Sequence, residues 1–338
     1  MARSAVLDFP LAWRTGRALV SACLALSISV PLHAQAYPAR SVHLVTAAAA
    51  GSASDFVARL LAPQFSASLK APFIVENRPD AGGTNVLRSA AADGHTLQLA
   101  SLGSLVIVPA IASAPYDPLE FLAPVAQVAS MPNVLTVHPD AGATTLDDLI
   151  ALAKKEPGRI RYATAGNGMP GIYAGELFKS VAKVDLAFVQ PRNGIAALDD
   201  LAQGRVNVLL AATPTAVPHV TTGKIRALAV TANRRLQALP DVPTAIENGL
   251  ASYEATTWYG IVVPAGTPQR IIDRLHKETA NILSSPETAQ TLEARGIEVT
   301  PSLPEQFSAY IKRETLKWKK VIGAAADNQD VVQAFRKR

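Results

Sequence analysis

The chain has 338 residues, 49% of them hydrophobic, and a formal net charge of +5 that falls to +3 without residues 1–36. That weak balance, with no clustered basic stripe, argues against nucleic acid as a partner, and the length suffices for two α/β domains. The single cysteine, Cys23, lies within the first 36 residues, so the chain beyond them offers no disulfide, thiol nucleophile or cysteine metal site.

Residues 1–36 read as an export signal. Arg3, Arg14 and Arg17 precede an apolar run from Ala18 to Leu32, and Ala34-Gln35-Ala36 supplies a small-x-small cleavage site before Tyr37. The run is too short for a comfortable membrane span. An alternative is lipoprotein anchoring, because Val20-Ser21-Ala22-Cys23 resembles a lipoprotein cleavage box. That box sits near the start of the apolar run instead of its end, so cleavage after Ala36 is favoured. The expected compartment is the periplasm.

The stretch that begins at Val42 opens with a short apolar run of strand character, and a tract of small residues follows it. Phe56, Leu60, Leu61 and Phe65 then recur at helical spacing. Strand, small turn and helix make a βα unit, whose helix start offers free N–H groups and the positive end of the dipole. Thr46, Ala50, Gly51, Ser52, Ser54 and Asp55 are the candidate anion contacts. An ordinary tight turn explains the stretch equally well, with Asp55 capping the helix instead of meeting a ligand. Neither GxGxxG nor GxxxxGK[ST] is present, which disfavours a nucleotide phosphate. Pro63 is expected to kink or shorten the helix.

Phe73–Glu76 is a predicted strand, 77–84 a turn and Asn85–Ala92 a helix; Thr96–Ala100 is a further strand, running into the loop Ser101-Leu102-Gly103-Ser104. Ser101 and Ser104 join the candidate ligand contacts, since loops at the carboxyl ends of strands are where open α/β sheets bind ligands. From Val134 the rhythm changes. Leu146–Lys155 is an amphipathic helix, Ile160–Thr164 a strand, and 165–171 a glycine-rich turn before the helix Ile172–Val181. Asn167, Gly168 and Met169 are candidates in this second turn. Strands follow at Leu186–Val189, Val206–Leu210 and Arg226–Thr231, with Arg192 and Asn193 as candidates beside the first of them. Arg192 either clamps a carboxylate with paired hydrogen bonds or is a solvated surface residue. Thr256–Pro264 is a long extended segment returning to the first lobe. Helices at Gln269–Leu283, Pro286–Arg295 and Pro304–Ala326 follow, the last with Phe307, Tyr310, Ile311, Trp318 and Ile322 as a core stripe. Trp258 and Tyr259 are better explained by packing than by a place in a cleft wall. The histidines lack metal-ligand spacing, no serine sits in GxSxG, and no cofactor is implied.

Several motifs occur together: Glu76-Asn77-Arg78-Pro79 with Ala81-Gly82-Gly83-Thr84, Asp93-Gly94-His95-Thr96-Leu97, Pro115-Tyr116-Asp117-Pro118, Ala165-Gly166-Asn167-Gly168, Leu239–Thr244 and Val263–Pro268. In this order they resemble the Bug-type periplasmic solute receptors of tripartite tricarboxylate transporters. The resemblance implies an α/β, two-domain periplasmic-binding-protein fold of type II character, with a ligand cleft between domains joined by two crossing strands. The domains are expected at 37–136 with 258–338, and at 137–257. It further implies a small organic anion, a carboxylate in most relatives, delivered by a monomer to a membrane permease. A sensor kinase in place of the permease is the alternative, and an enzyme is disfavoured for want of a titratable pair. Three departures bear on the ligand: Ala49-Ala50-Gly51-Ser52 replaces Pro-Pro-Gly-Gly, Pro191-Arg192-Asn193 replaces Tyr-Lys-Gly, and Ala211-Ala212 replaces a polar pair.

Overall fold

The computed structural model describes residues 37–79, 82–111, 117–165, 168–192 and 194–326. The predicted signal segment and the candidates Asn167 and Asn193 lie outside the described residues.

Short apolar runs, buried on both faces, give parallel strands, and the helices between them return the chain. β1 (Val42–Thr46) leads into α1 (Ala53–Leu69), β2 (Phe73–Asn77) into α2 (Gly82–Ser89), and β3 (Thr96–Ser101) into a π-helical turn, Gly103–Ile107, and α3 (Val108–Ile111). β4 (Leu122–Val137) crosses from the first half into the second, followed by α4 (Leu146–Lys155), β5 (Arg161–Ala165), α5 (Gly168–Ala182), β6 (Ala187–Phe188) and α6 (Gly194–Ala202). β7 (Val208–Ala212), α7 (Thr213–Thr221) and β8 (Arg226–Val230) complete it. β9 (Thr256–Pro264), α8 (Gln269–Leu283), α9 (Pro286–Glu293), β10 (Glu298–Val299) and α10 (Pro304–Ala325) return to the first half.

The strand order is β2-β1-β3-β9-β4-β7-β5-β6, with β8 and β10 also paired to β4. β1 is parallel to β2 and β3, and β5 is parallel to β6 and β7. β4 joins these two blocks. It runs antiparallel to β9 from Leu122 opposite Pro264 to Pro132 opposite Thr256, then pairs with β7 from Asn133 onward and with β8 from Val134. The change of partners thus falls at Pro132, whose missing N–H removes one ladder bond. Buried polar groups stitch this point. The Asn133 N–H donates to Thr231 Oγ1 at 2.9 Å, Asn133 Nδ2 donates to the Ala255 carbonyl at 2.8 Å, and Thr213 Oγ1 donates to the Pro132 carbonyl at 2.7 Å.

α10 carries the expected core stripe. Phe307 meets Trp258 edge-on at 5.5 Å, and Trp318 joins the buried cluster that includes Tyr162 and Phe178 of the second half. Trp258 and Tyr259 are buried, so packing is their role.

The local expectations needed adjustment in several places, among them the helix read at 172–181, which starts at Gly168 inside the expected turn, and the strand read at 206–210, which runs from Val208 to Ala212. The helix read at 85–92 starts at Gly82, because the glycine pair enters the helix instead of ending the turn. The strand read at 186–189 pairs only through Ala187 and Phe188. The 101–104 loop winds into a helical turn from Gly103. Pro63 does not shorten α1. It removes only the bond to the carbonyl of exposed Arg59, while Gln64 Nε2 and Ser66 Oγ donate to the neighbouring carbonyls of Leu60 and Ala62.

Candidate functional site

The turn after β1 is built by a reciprocal cap. Ser52 is the N-cap of α1, its hydroxyl accepting from the Asp55 N–H at 3.2 Å, while Asp55 Oδ2 accepts from the Gly51 N–H at 2.9 Å. Gly51 has a φ of 80°, which a side chain rarely adopts. Asp55 Oδ1 also accepts from Arg59 Nε and Asn77 Nδ2, each at 2.9 Å, and Asn77 Nδ2 donates to the Ala48 carbonyl at 3.1 Å. Asp55 is therefore occupied by its own chain. Burial, the largest single influence, pushes its carboxyl up, but the Gly51 N–H, Arg59 and Asn77 together hold it below its ordinary value.

What remains open in this turn is backbone. The N–H groups of Ala53 and Ser54 have no acceptor among the described residues, and they stand at the positive end of a 17-residue helix beside exposed Ala50 and Gly51. The Thr46 hydroxyl, buried at the end of β1, also has no partner among the described residues. Ser54 is largely buried in the first turn of the helix.

Ser101 and Ser104 bracket the turn after β3. The Ser101 N–H donates to Ser104 Oγ at 3.0 Å, and the Ser104 N–H donates to Ser101 Oγ at 3.3 Å. This turn approaches the start of α5: a Cβ built on Gly103 would lie 3.5 Å from Pro170 Cγ. Gly168 opens α5 with a φ of 55°, and Met169 packs, half-buried, against the larger core. Thus the serine turn of the first half and the glycine turn of the second are neighbours.

Arg192 is exposed, in the bend before α6, and has no ion-pair or hydrogen-bond partner among the described residues. Ala211 and Ala212 end β7 wholly buried, with Ala211 beside Ala165 at the foot of the second turn. Sequence reasoning missed Asn77 and Arg59 as the supports of the first turn. The Glu-Asn-Arg-Pro motif was visible, but pairing of β1 with β2 is what brings Asn77 to Asp55. Among the described residues no group of His, Cys, Asp and Glu side chains is arranged to hold a metal ion.

A family profile described as "Tripartite tricarboxylate transporter family receptor" matches residues 57–326. Protein BugT of Bordetella pertussis is 32% identical over 303 residues, covering 87% of this chain and 92% of that protein. The structure of Rhodopseudomonas palustris Rpa4515 with adipate shares 30% identity at a TM-score of 0.69, covering 86% of this chain and 98% of that one. MatC from the same organism, with bound malate, shares 29% at a TM-score of 0.68, covering 85% and 100%. The architecture is the two-domain α/β fold of the periplasmic binding proteins.

Proposed function

The chain belongs to the tripartite tricarboxylate transporter receptor family, a family of solute-binding proteins and not of enzymes, and on that premise we propose that it captures a small dicarboxylate between its two halves and presents it to a membrane permease. The observation that carries the reading is the pair of N–H groups at Ala53 and Ser54 that have no acceptor among the described residues, at a helix N-terminus walled by residues without bulky side chains. One carboxylate of the ligand sits there, near Thr46, Ala50, Gly51 and Ser52. Ser101 and Ser104, with Gly168 and Met169 across from them, line the middle. Arg192 and Asn193 receive the far carboxylate, a charge-assisted pair suited to the Arg192 guanidinium, which has no partner among the described residues. The two lobes are 37–136 with 258–338, and 137–257, and closure between them is biased by ligand contacts to both. Export by cleavage after Ala36 delivers the monomer to the periplasm.

Calorimetry and thermal shift against adipate, malate and adipamide test this. One-site binding of a dicarboxylate, a raised melting temperature and no response to adipamide are expected. Arg192→Ala should weaken the dicarboxylate about ten- to hundredfold, the range for a hydrogen bond to a charged group. A folded protein indifferent to both acids and to a wider dicarboxylate panel contradicts the reading. An N-terminal mass beginning at Tyr37 supports the export step, and a lipid on Cys23 overturns it.

A further inference from the structure

Away from the turns, the two halves touch again where β4 changes partners. β10 and β7 lie next to one another along β4, with Glu298 opposite Ser130 and Ala212 opposite Asn133. Between them Gly296 packs on Thr213 so tightly that a Cβ on the glycine would fall 2.4 Å from Thr213 Cγ2. Beside this contact is a cavity of about 290 Å³, walled by Arg234, Arg235 and Leu236 from the segment after β8 and by Glu293, Gly296 and Glu298 from the first half. One ion pair crosses it, Arg234 to Glu298 Oε1 at 3.1 Å.

We propose that Arg234 and Glu298 are positioning residues for the cleft: their ion pair braces the junction of the two halves and sets how closely the turns at 101–104 and 168–170 approach. The electrostatics favour a brace over an incidental surface pair. The Glu298 side chain is only 15% exposed, and burial, with repulsion from Glu293, raises its pKa while Arg234 opposes the rise. Arg235, on the same wall, is engaged by Glu247 at 3.0 Å and donates to the Pro240 carbonyl. Arg234 is thus the cation that faces the pair of glutamates. Without it, a poorly solvated carboxylate is left beside a second carboxylate of the same half with no cation from the other half to offset them, and the junction keeps its Gly296–Thr213 packing but loses its ion pair. The proposal goes beyond the receptor reading and is tested without ligand.

Pulsed electron paramagnetic resonance reads the arrangement directly. Spin labels at Ala67→Cys in α1 and Lys224→Cys before β8 report one half each, both positions being exposed. They are placed in the exported chain carrying Cys23→Ser, which makes them its sole thiols. The parent should give one dominant distance. Arg234→Ala and Glu298→Gln should each broaden the distribution and change the ratio of its components about threefold or more, within the range of partly exposed pairs. The exchanged pair, Arg234→Glu with Glu298→Arg, should restore the parent distribution, which a merely structural role for either side chain would not produce. Unchanged distributions in both single variants overturn the proposal, as does failure of the exchange to restore. Should Glu298→Gln fail to fold by circular dichroism, Arg234→Ala, altering a side chain that is mostly exposed, decides the matter alone.

Discussion

The Asp55 carboxylate is held by three donors from three parts of the chain: the Gly51 N–H, Arg59 one turn along α1, and Asn77 at the end of β2. Its role is to freeze the turn whose N–H groups at Ala53 and Ser54 have no acceptor among the described residues. Asp55→Asn turns one acceptor into an amide NH₂ that opposes these donors. The expected loss at pH 7 is about 1–3 kcal/mol, the usual cost of unmaking buried hydrogen bonds to a charged group. Since the folded-state pKa of Asp55 lies below its ordinary value, the stabilisation is complete above the unfolded pKa near 4 and is lost as pH falls through the folded one. Urea unfolding at pH 7 and in the acid range should therefore show a gap between parent and variant that narrows on acidification. A gap constant with pH contradicts the assignment. The cap itself was readable from Ser52 and Asp55, because capping is local. The supports were not, since Asn77 arrives through strand pairing.

Glycines at element crossings show where packing leaves no room. A Cβ on Gly175 in α5 would lie 2.2 Å from the ring of buried Tyr162, whose hydroxyl is tied to Glu176 Oε1 at 2.7 Å. Gly175→Ala should cost about 1–3 kcal/mol, as overpacking does. A smaller residue at 162 should recover part of that, because the two positions share one contact. Thermal unfolding of Gly175→Ala, Tyr162→Leu and the double variant checks this, and strictly additive losses would refute the shared contact. Gly260 in β9 is equally crowded, by Phe307 of α10. Strands such as Val42–Thr46 and Thr256–Pro264 were legible because they are rich in apolar and β-branched residues. Boundaries shifted where glycine or serine let a turn become helix, at Gly82, Gly103 and Gly168, since those residues mark a turn without fixing how it continues.

For the whole molecule, repeated strand–turn–helix units announced two α/β halves, and motifs in family order announced how they connect. The sixteen-residue strand that joins them was hidden, because Pro132 reads as a break in a strand that runs through it. Short β10 escaped for the opposite reason: two residues carry no period. The ion pair at the junction depends on segments more than sixty residues apart and could not be read at all. On the proposed reading, main chain at the start of α1 in one half seats an anion that the start of α5 in the other half also touches. Hydrogen exchange with and without saturating adipate or malate tests this most directly. Slowed exchange at the amides of both 51–55 and 168–172 is predicted. Saturable binding that protects one of these segments only, or neither, would contradict a ligand gripped from both sides.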